Sequence, residues 1–431
     1  MEKKKIAYIC GFSNVKVQSA LDLHDLSKSN KIRRYFHLPP LEFADTAPWN
    51  SLFIEQFSKD NEHEYYVIAP QIGMRDKKQS FMLDGIHYIF YRNETGVLDR
   101  LKKKLLNYDE RTDFRHYRRI VKSILKNINP DLAIVCGAEN PIYSLAMLDI
   151  ENIPVYVILQ TLLNDPKRIA MGVGDEYRRN VERRILLKGK YFGVVEKAAA
   201  DYIKKNNPSA YCFDFNFPTS IPHASFDAPK AFDYIFFARG ITKNKGVEDV
   251  IRAFAIVCTQ EPNATLNISG GCSDSYLSEL KDLVGELKIA GNVTFHGHFK
   301  KHIDVFHQLA KARCIVVPGI TSALNTTVKE AMLMKLPTIC YKTSATPRIN
   351  KENQCLITAE MENVNSLADA MLFAYQNPTK AQEIARNGYD YATSNYTAEA
   401  VCKNLMSNIK SIFDHEAQNI VIPITQLFKT L

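Results

Sequence analysis

Arg239 and Lys245 lie close together in the run Phe236-Phe237-Ala238-Arg239-Gly240-Ile241-Thr242-Lys243-Asn244-Lys245-Gly246, where an apolar strand ends and a helix begins. A guanidinium offers a planar fork of donors and an ammonium a mobile point charge, so the pair suits the two negative phosphates of a diphosphate leaving group. Gly246 permits a tight turn into a helix over 247–258, whose first amides add partial positive charge on the same side. Alone, the run also describes a solvated loop after a strand.

Further along, the apolar strand Cys314-Ile315-Val316-Val317-Pro318 runs into a polar segment, 319–327, and then a helix beginning Val328-Lys329-Glu330-Ala331-Met332. A carboxylate near a helix start can accept two hydrogen bonds from a vicinal diol, while free amides beside it face phosphate. Asn325, Thr326 and Thr327 are residue types that cap helices. The plain alternative for Glu330 is a first-turn acid that complements the helix dipole.

Arg239 and Lys245, the strand 265–269 with Gly270-Gly271 after it, Val293-Thr294-Phe295-His296-Gly297, Val317-Pro318, and Glu330-Ala331-Met332 followed by Leu336-Pro337-Thr338 together resemble the group 1 glycosyltransferases of GT-B fold. The resemblance covers roughly 233–377. It implies that Arg239 and Lys245 hold the diphosphate of a nucleotide-sugar, UDP- or GDP-linked, with Gly240 in the same turn. It also implies that Glu330 binds the ribose hydroxyls, that Gly297 holds the base through backbone groups, and that Ser322, Asn325, Thr326 and Thr327 line the donor. Two positions depart from the pattern. The family has a first glutamate eight positions before Glu330, where this chain has Ser322, and its glycine-rich loop reads Ser322-Ala323-Leu324-Asn325. The missing carboxylate removes an acceptor for the donor sugar, and the missing glycines restrict backbone approach.

At 431 residues, 46% hydrophobic and 24% charged, the chain has the balance of an ordinary globular protein with room for two cores. The opening Met1-Glu2-Lys3-Lys4-Lys5 leads straight into a strand, and no run reaches the ~18 apolar residues of a membrane helix, so a cytoplasmic protein is expected. The nine cysteines have neither Cys-x-x-Cys nor histidine partners at metal spacing and read as small core residues, with no metal expected. Strands are expected at 6–10, 65–69, 86–91, 132–135, 155–159 and 191–195, then at 234–238, 265–269, 293–296, 314–317, 338–341 and 355–357. Their alternation with helices predicts α/β architecture, two doubly wound Rossmann-like domains facing a cleft. The expected boundaries are 1–215 for an acceptor-binding domain, 216–395 for a nucleotide-sugar domain, and 396–431 for a helix and tail returning to the first domain. A proline-bearing linker is expected at 213–231 and one long helical stretch at 381–413.

In the first half, Gly11, Phe12 and Ser13 follow the first strand at the position of an acceptor loop. Asp131-Leu132-Ala133-Ile134-Val135-Cys136-Gly137-Ala138-Glu139 delivers Gly137 and Glu139 to a strand end and resembles the corresponding turn of bacterial polysaccharide glycosyltransferases. Glu139 can orient or deprotonate an acceptor hydroxyl; equally it can cap a helix over 141–148. His37 and His63 have no assigned place. Arg100, Lys102, Lys103, Lys104, Arg111, Arg115, Arg118, Arg119, Lys122 and Lys126, interleaved with apolar residues, describe either a surface helix packed on the sheet or a contact with anionic lipid. The +8 net charge is modest for this length and does not indicate nucleic-acid binding. The expected function is transfer of a sugar, with retention of configuration and without a cofactor, from a nucleotide-sugar to a glycan or lipid-linked saccharide. The setting is surface polysaccharide assembly, at the inner face of the membrane. The alternatives are a catalytically weak binding subunit of the same fold and a sugar-nucleotide epimerase.

Overall fold

The structure, a computed structural model, describes residues 3–25, 30–31, 35, 47–93, 107–222, 224, 226–319 and 324–428. Ser322, His37 and the basic positions Arg100, Lys102, Lys103 and Lys104 lie outside them. Two compact units divide the chain: Met1–Pro218 together with Val401–Leu431, and Thr219–Ala400.

The first unit carries β1 (Lys4–Ile9), β2 (His63–Gln71), β3 (Lys78–Leu83), β4 (Ile86–Arg92), β5 (Leu132–Cys136), β6 (Val155–Ile158), β7 (Tyr191–Val194) and β8 (Tyr211–Asp214). They form one sheet in the order β3-β4-β2-β1-β5-β6-β7-β8, parallel except for the β3–β4 pair. Ile6, Tyr8 and Cys10 pack on one face of β1 and Ala7 and Ile9 on the other, so a sheet covered on both sides reads as a continuous apolar run. Two strands were not expected from the sequence. β3 is an edge strand of alternating burial, joined to β4 by Asp84-Gly85, both at positive φ, the signature of a two-residue hairpin. β8 occupies the start of the expected linker. The helix Ala398–Gln418 buries Val401, Leu405, Ile409 and Ile412 in the first unit's core. It is separate from Pro378–Tyr396, because Thr397 is extended and breaks the expected single helix.

The second unit holds β9 (Phe232–Gly240), β10 (Leu266–Gly271), β11 (Val293–Gly297), β12 (Ala312–Val317), β13 (Thr338–Tyr341) and β14 (Ile357–Ala359). All are parallel, in the order β11-β10-β9-β12-β13-β14. In each unit the winding reverses once, between β1 and β5 and between β9 and β12. Ligands of open α/β sheets bind beyond the strand C-termini at such reversals.

At the second reversal backbones meet closely. Gly270 has φ +137°, and a Cβ there would lie 1.8 Å from the Ala238 carbonyl oxygen. Gly270→Ala should therefore lower stability by at least about 2 kcal/mol. Thermal unfolding followed by circular dichroism tests this, with Gly240→Ala as control because a Cβ there meets nothing within 4 Å. Equal midpoints for the two variants would contradict the close approach.

Candidate functional site

Arg239 and Gly240 end β9 as exposed residues. The following Ile241 N–H donates to the Gly271 carbonyl at 2.6 Å, tying the turn to the end of β10. A 3₁₀ turn, Lys243–Lys245, then leads through Gly246, at φ +74°, into the helix Val247–Gln260. A Cβ on Gly246 would fall 2.5 Å from the Pro318 carbonyl oxygen, so this glycine seats the turn against the chain leaving β12. Lys243 is engaged by Glu279 at 3.3 Å. Arg239 and Lys245 have no carboxylate partner among the described residues, which leaves two uncommitted cations beside a helix start.

Across the reversal, Asn325 caps the helix Thr326–Leu333, its Oδ1 accepting the Thr327 N–H at 3.0 Å. The expected capping residue is thus in place, but the helix begins earlier than expected. Glu330 is its fifth residue, beyond the first turn, which removes the reading of a simple dipole-complementing acid. Glu330 is only 7% exposed, and burial pushes its carboxyl up to about 7. His302, first residue of the helix His302–Ala310, places Nε2 3.6 Å from Glu330 Oε1. Burial, then the charge of Arg239, lower the imidazole pKa. Arg239, His302 and Glu330 therefore converge. Thr326 is exposed and Thr327 buried. Lys329 is buried with Nζ 4.7 Å from the centre of the Tyr396 ring, and burial brings its ammonium down to about 8. Gly297 closes β11 exposed, at φ +66°.

In the first unit, Gly11 and Glu139 are gathered at the β1–β5 reversal. A Cβ on Gly11 would lie 3.2 Å from the Tyr143 ring; one on Gly137, at φ +102°, would lie 3.2 Å from Glu139 Oε2 and 3.4 Å from the Tyr143 hydroxyl. Glu139 is 6% exposed, its Oε2 has no hydrogen-bond partner, and burial raises its pKa. It caps no helix: the expected helix over 141–148 is a 3₁₀ segment, Ser144–Asp149, without a side-chain cap. Asn50, fully buried, accepts from the Tyr8 hydroxyl at 2.6 Å and donates to the Gly11 carbonyl at 2.9 Å, fixing the loop after β1. Phe12 corrects an expectation. Its side chain is 2% exposed and stacks with Tyr88 and Phe90, so it belongs to the core and not to an acceptor surface. The buried Ser13 hydroxyl accepts from Gln18 at 2.9 Å.

The basic helix Arg115–Ile128 buries Tyr117, Val121, Ile124, Leu125 and Ile128 in the core, and Arg118 pairs with Asp113 and Asp149. Its apolar face is thus consumed by the sheet, leaving Arg115, Arg119, Lys122 and Lys126 exposed. His63 bonds Asp60 at 2.8 Å and stacks on Phe413, a packing role. His302, Asn50 and Tyr143 were missed in the sequence; none stands in a spacing that marks chemistry, and only the fold brings them to the strand ends.

Two Rossmann-like units in one chain, each with its candidate residues at a winding reversal, define the GT-B class of fold. Solved structures agree in fold: α,α-trehalose 6-phosphate synthase from Burkholderia multivorans superposes with TM-score 0.68 at 10% identity over 100% of both chains. Sucrose-phosphate synthase from Thermosynechococcus elongatus gives 0.62 at 15% identity over 95% of this chain and 99% of that one. Residues 222–391 match the family model described as glycosyl transferases group 1. An uncharacterized glycosyltransferase of Methanocaldococcus jannaschii is 31% identical over 118 residues, 27% of this chain and 28% of that protein's length. Through its second unit the chain is similar to the group 1 glycosyltransferases, the matched residues making up less than half of its length.

Burial of Glu330 has a cost that pH reveals. An acid whose pKa is raised on folding binds its proton more tightly in the folded state, so stability falls as pH rises from 4.5 to about 7. That interval corresponds to about 3 kcal/mol. Glu330→Gln should be more stable than the parent by up to that amount at pH 8, and the difference should vanish near pH 4. Urea unfolding at the two pH values measures it; a difference independent of pH would contradict the desolvated carboxyl.

Proposed function

We propose that the protein transfers a sugar from a UDP- or GDP-linked donor to a hydroxyl of a glycan or lipid-linked saccharide, with retention of configuration, in surface polysaccharide assembly. The observation that carries this reading is the convergence at one winding reversal of Arg239, which has no carboxylate partner among the described residues, with His302 and the buried acid Glu330, Lys245 standing in the turn that follows Arg239. As the bond between the anomeric carbon and the diphosphate breaks, the electron pair leaves with the phosphate oxygen. Arg239, Lys245 and the amides opening Val247–Gln260 stabilise that charge. Glu330 accepts hydrogen bonds from the ribose, Gly297 and Gly240 leave backbone free to approach the nucleotide, and Asn325, Thr326 and Thr327 line the donor. Retention requires the acceptor hydroxyl to approach from the face the diphosphate leaves.

Glu139 orients the acceptor hydroxyl beside Gly11 and Ser13. Its unpartnered Oε2 and raised pKa support the assignment, since a carboxylate left without a donor in the protein is ready to take one from a substrate. The exposed row Arg115, Arg119, Lys122 and Lys126 supports electrostatic contact with an anionic membrane surface at its cytoplasmic face; no described helix is long and apolar enough to cross a membrane. Ser322 in place of an acid favours one second reading, a weak or inactive subunit that binds donor without transfer.

Arg239→Ala and Lys245→Ala should each weaken binding of UDP- or GDP-sugars by about 1–3 kcal/mol, as loss of a charge-assisted hydrogen bond does. Calorimetric titration of the folded variants checks this, and unchanged affinity in both removes the leaving-group role. Glu139→Gln should keep donor affinity and lower turnover on acceptor by about 10²-fold or more. Donor binding with no transfer to any saccharide acceptor by the parent protein would select the binding-subunit reading.

A further inference from the structure

We propose that His302 is a donor-site residue that works as a pair with Glu330, the imidazole and the carboxyl together gripping the vicinal diol of a nucleoside diphosphate. The inference rests on the donor-site reading and adds to it a group that neither the sequence pattern nor the family assignment supplies.

The geometry is specific. His302 Nε2 and Glu330 Oε1 face each other at 3.6 Å, just beyond hydrogen-bond reach. No other described residue donates to Glu330, although it is only 7% exposed. The His302 side chain is 66% exposed, so the pair opens outward on the imidazole side and inward on the carboxyl side. The ring is held edge-on to Phe306, one turn along its helix, at 4.9 Å. The charged groups facing it among the described residues are Glu330 from the helix Thr326–Leu333 and Arg239 from β9. Arg239 is the cation assigned to the diphosphate, so the pair lies where the ribose of the same nucleotide must come.

The order of titration suits this task. Burial lifts Glu330 to about 7, while partial desolvation of its inner edge and the charge of Arg239 hold the imidazole below its ordinary value of 6.5. Above about pH 7 the carboxylate and the neutral imidazole nitrogen are both acceptors, and a diol offers two hydroxyl donors. Below it, the protonated carboxyl is itself a donor and leaves the diol with one acceptor fewer. Nucleotide affinity therefore rises with pH through about 7. Removing the imidazole opens the carboxyl to water and relieves the burial that raises its pKa, so the midpoint moves to lower pH.

The test is calorimetric titration of the full chain with UDP, GDP and their 2′,3′-dideoxy analogues between pH 5.5 and 8.5. His302→Ala should weaken binding of the natural nucleotide about 5- to 10-fold, the scale of one hydrogen bond. It should leave the dideoxy analogue unchanged and shift the pH midpoint downward. His302→Gln, which keeps an acceptor at the position, should recover part of the affinity without restoring the midpoint. Equal loss on both nucleotides, or no loss and no movement of the midpoint, overturns the pairing. If Arg239→Ala still abolishes binding in that case, the donor site stands and only His302's part in it is lost. Wild-type binding to neither nucleotide, at any pH, overturns the donor reading and this inference with it.

Discussion

The second unit depends on a backbone-to-backbone approach that only glycine allows. Gly270 lies against the Ala238 carbonyl and Gly246 against the Pro318 carbonyl, so the ends of β9, β10 and β12 are drawn together with no side chain between them. Both glycines also have positive φ, which L-residues with a Cβ adopt at a cost. The chain leaving β9 is thereby pinned at Gly271 and at Pro318. Arg239 stands exposed between the two anchors, with Lys245 ahead of the helix start. Lys243 in the same turn is drawn aside by Glu279 and the Tyr276 ring. Three cations in one turn have been sorted by their neighbours into one that is paired and two with no carboxylate partner among the described residues.

The first unit repeats the winding reversal around a buried acid. At the β1–β5 reversal Arg178 donates to the Glu139 carbonyl at 3.2 Å, and the loop after β1 is held from beneath by Tyr8 and Asn50. Another buried acid of this unit is structural, because the protein satisfies it. Glu182 is fully buried and accepts from the backbone amides of Leu163 and Asn164 and from the Asn164 side chain, which fixes the loop after β6. Set beside it, Glu139 is the carboxylate with an oxygen left over. These two buried glutamates differ in whether the protein itself completes their hydrogen bonding, and that difference leaves Glu139 available to a ligand.

Much of this was legible in sequence because sheets covered on both faces write themselves as short, fully apolar runs. Six of the eight strands of the first sheet and most of the second follow such runs; β10 and β11 carry Asn267, Thr294 and His296 among their apolar residues. β3 failed that test because an edge strand needs one buried face only, and its residues, Lys78-Gln79-Ser80-Phe81-Met82-Leu83, alternate; the Asp84-Gly85 turn was the available signal. In the candidate sites, Arg239, Lys245 and Glu330 were visible because their neighbours carry a pattern. His302 was not, since a single histidine after Lys300-Lys301 looks like any solvated helix start until β12 and β9 set Glu330 and Arg239 beside it. Phe12 erred the other way. A residue following a strand end reads as loop, and only the stacking on Tyr88 and Phe90 shows that the chain dips back into the core there.

Glu330 carries the strongest energetic argument that this arrangement serves a ligand. Acids placed to complement a helix dipole gain from the first turn and lose nothing by staying wet, as Glu248 and Asp249 show at the start of Val247–Gln260. Those two also accept from the tyrosine hydroxyls of Tyr276 and Tyr341, each at 2.8 Å. Glu330 has neither advantage. It lies one turn too far along its helix to benefit from the terminus, among the buried neighbours Lys329, Ala331 and Met332, with no described donor within hydrogen-bond distance. A glutamine or an apolar residue would fill the same volume without the desolvation penalty. The carboxyl is a net liability to the empty fold, and becomes favourable when hydroxyl donors arrive from outside to meet it.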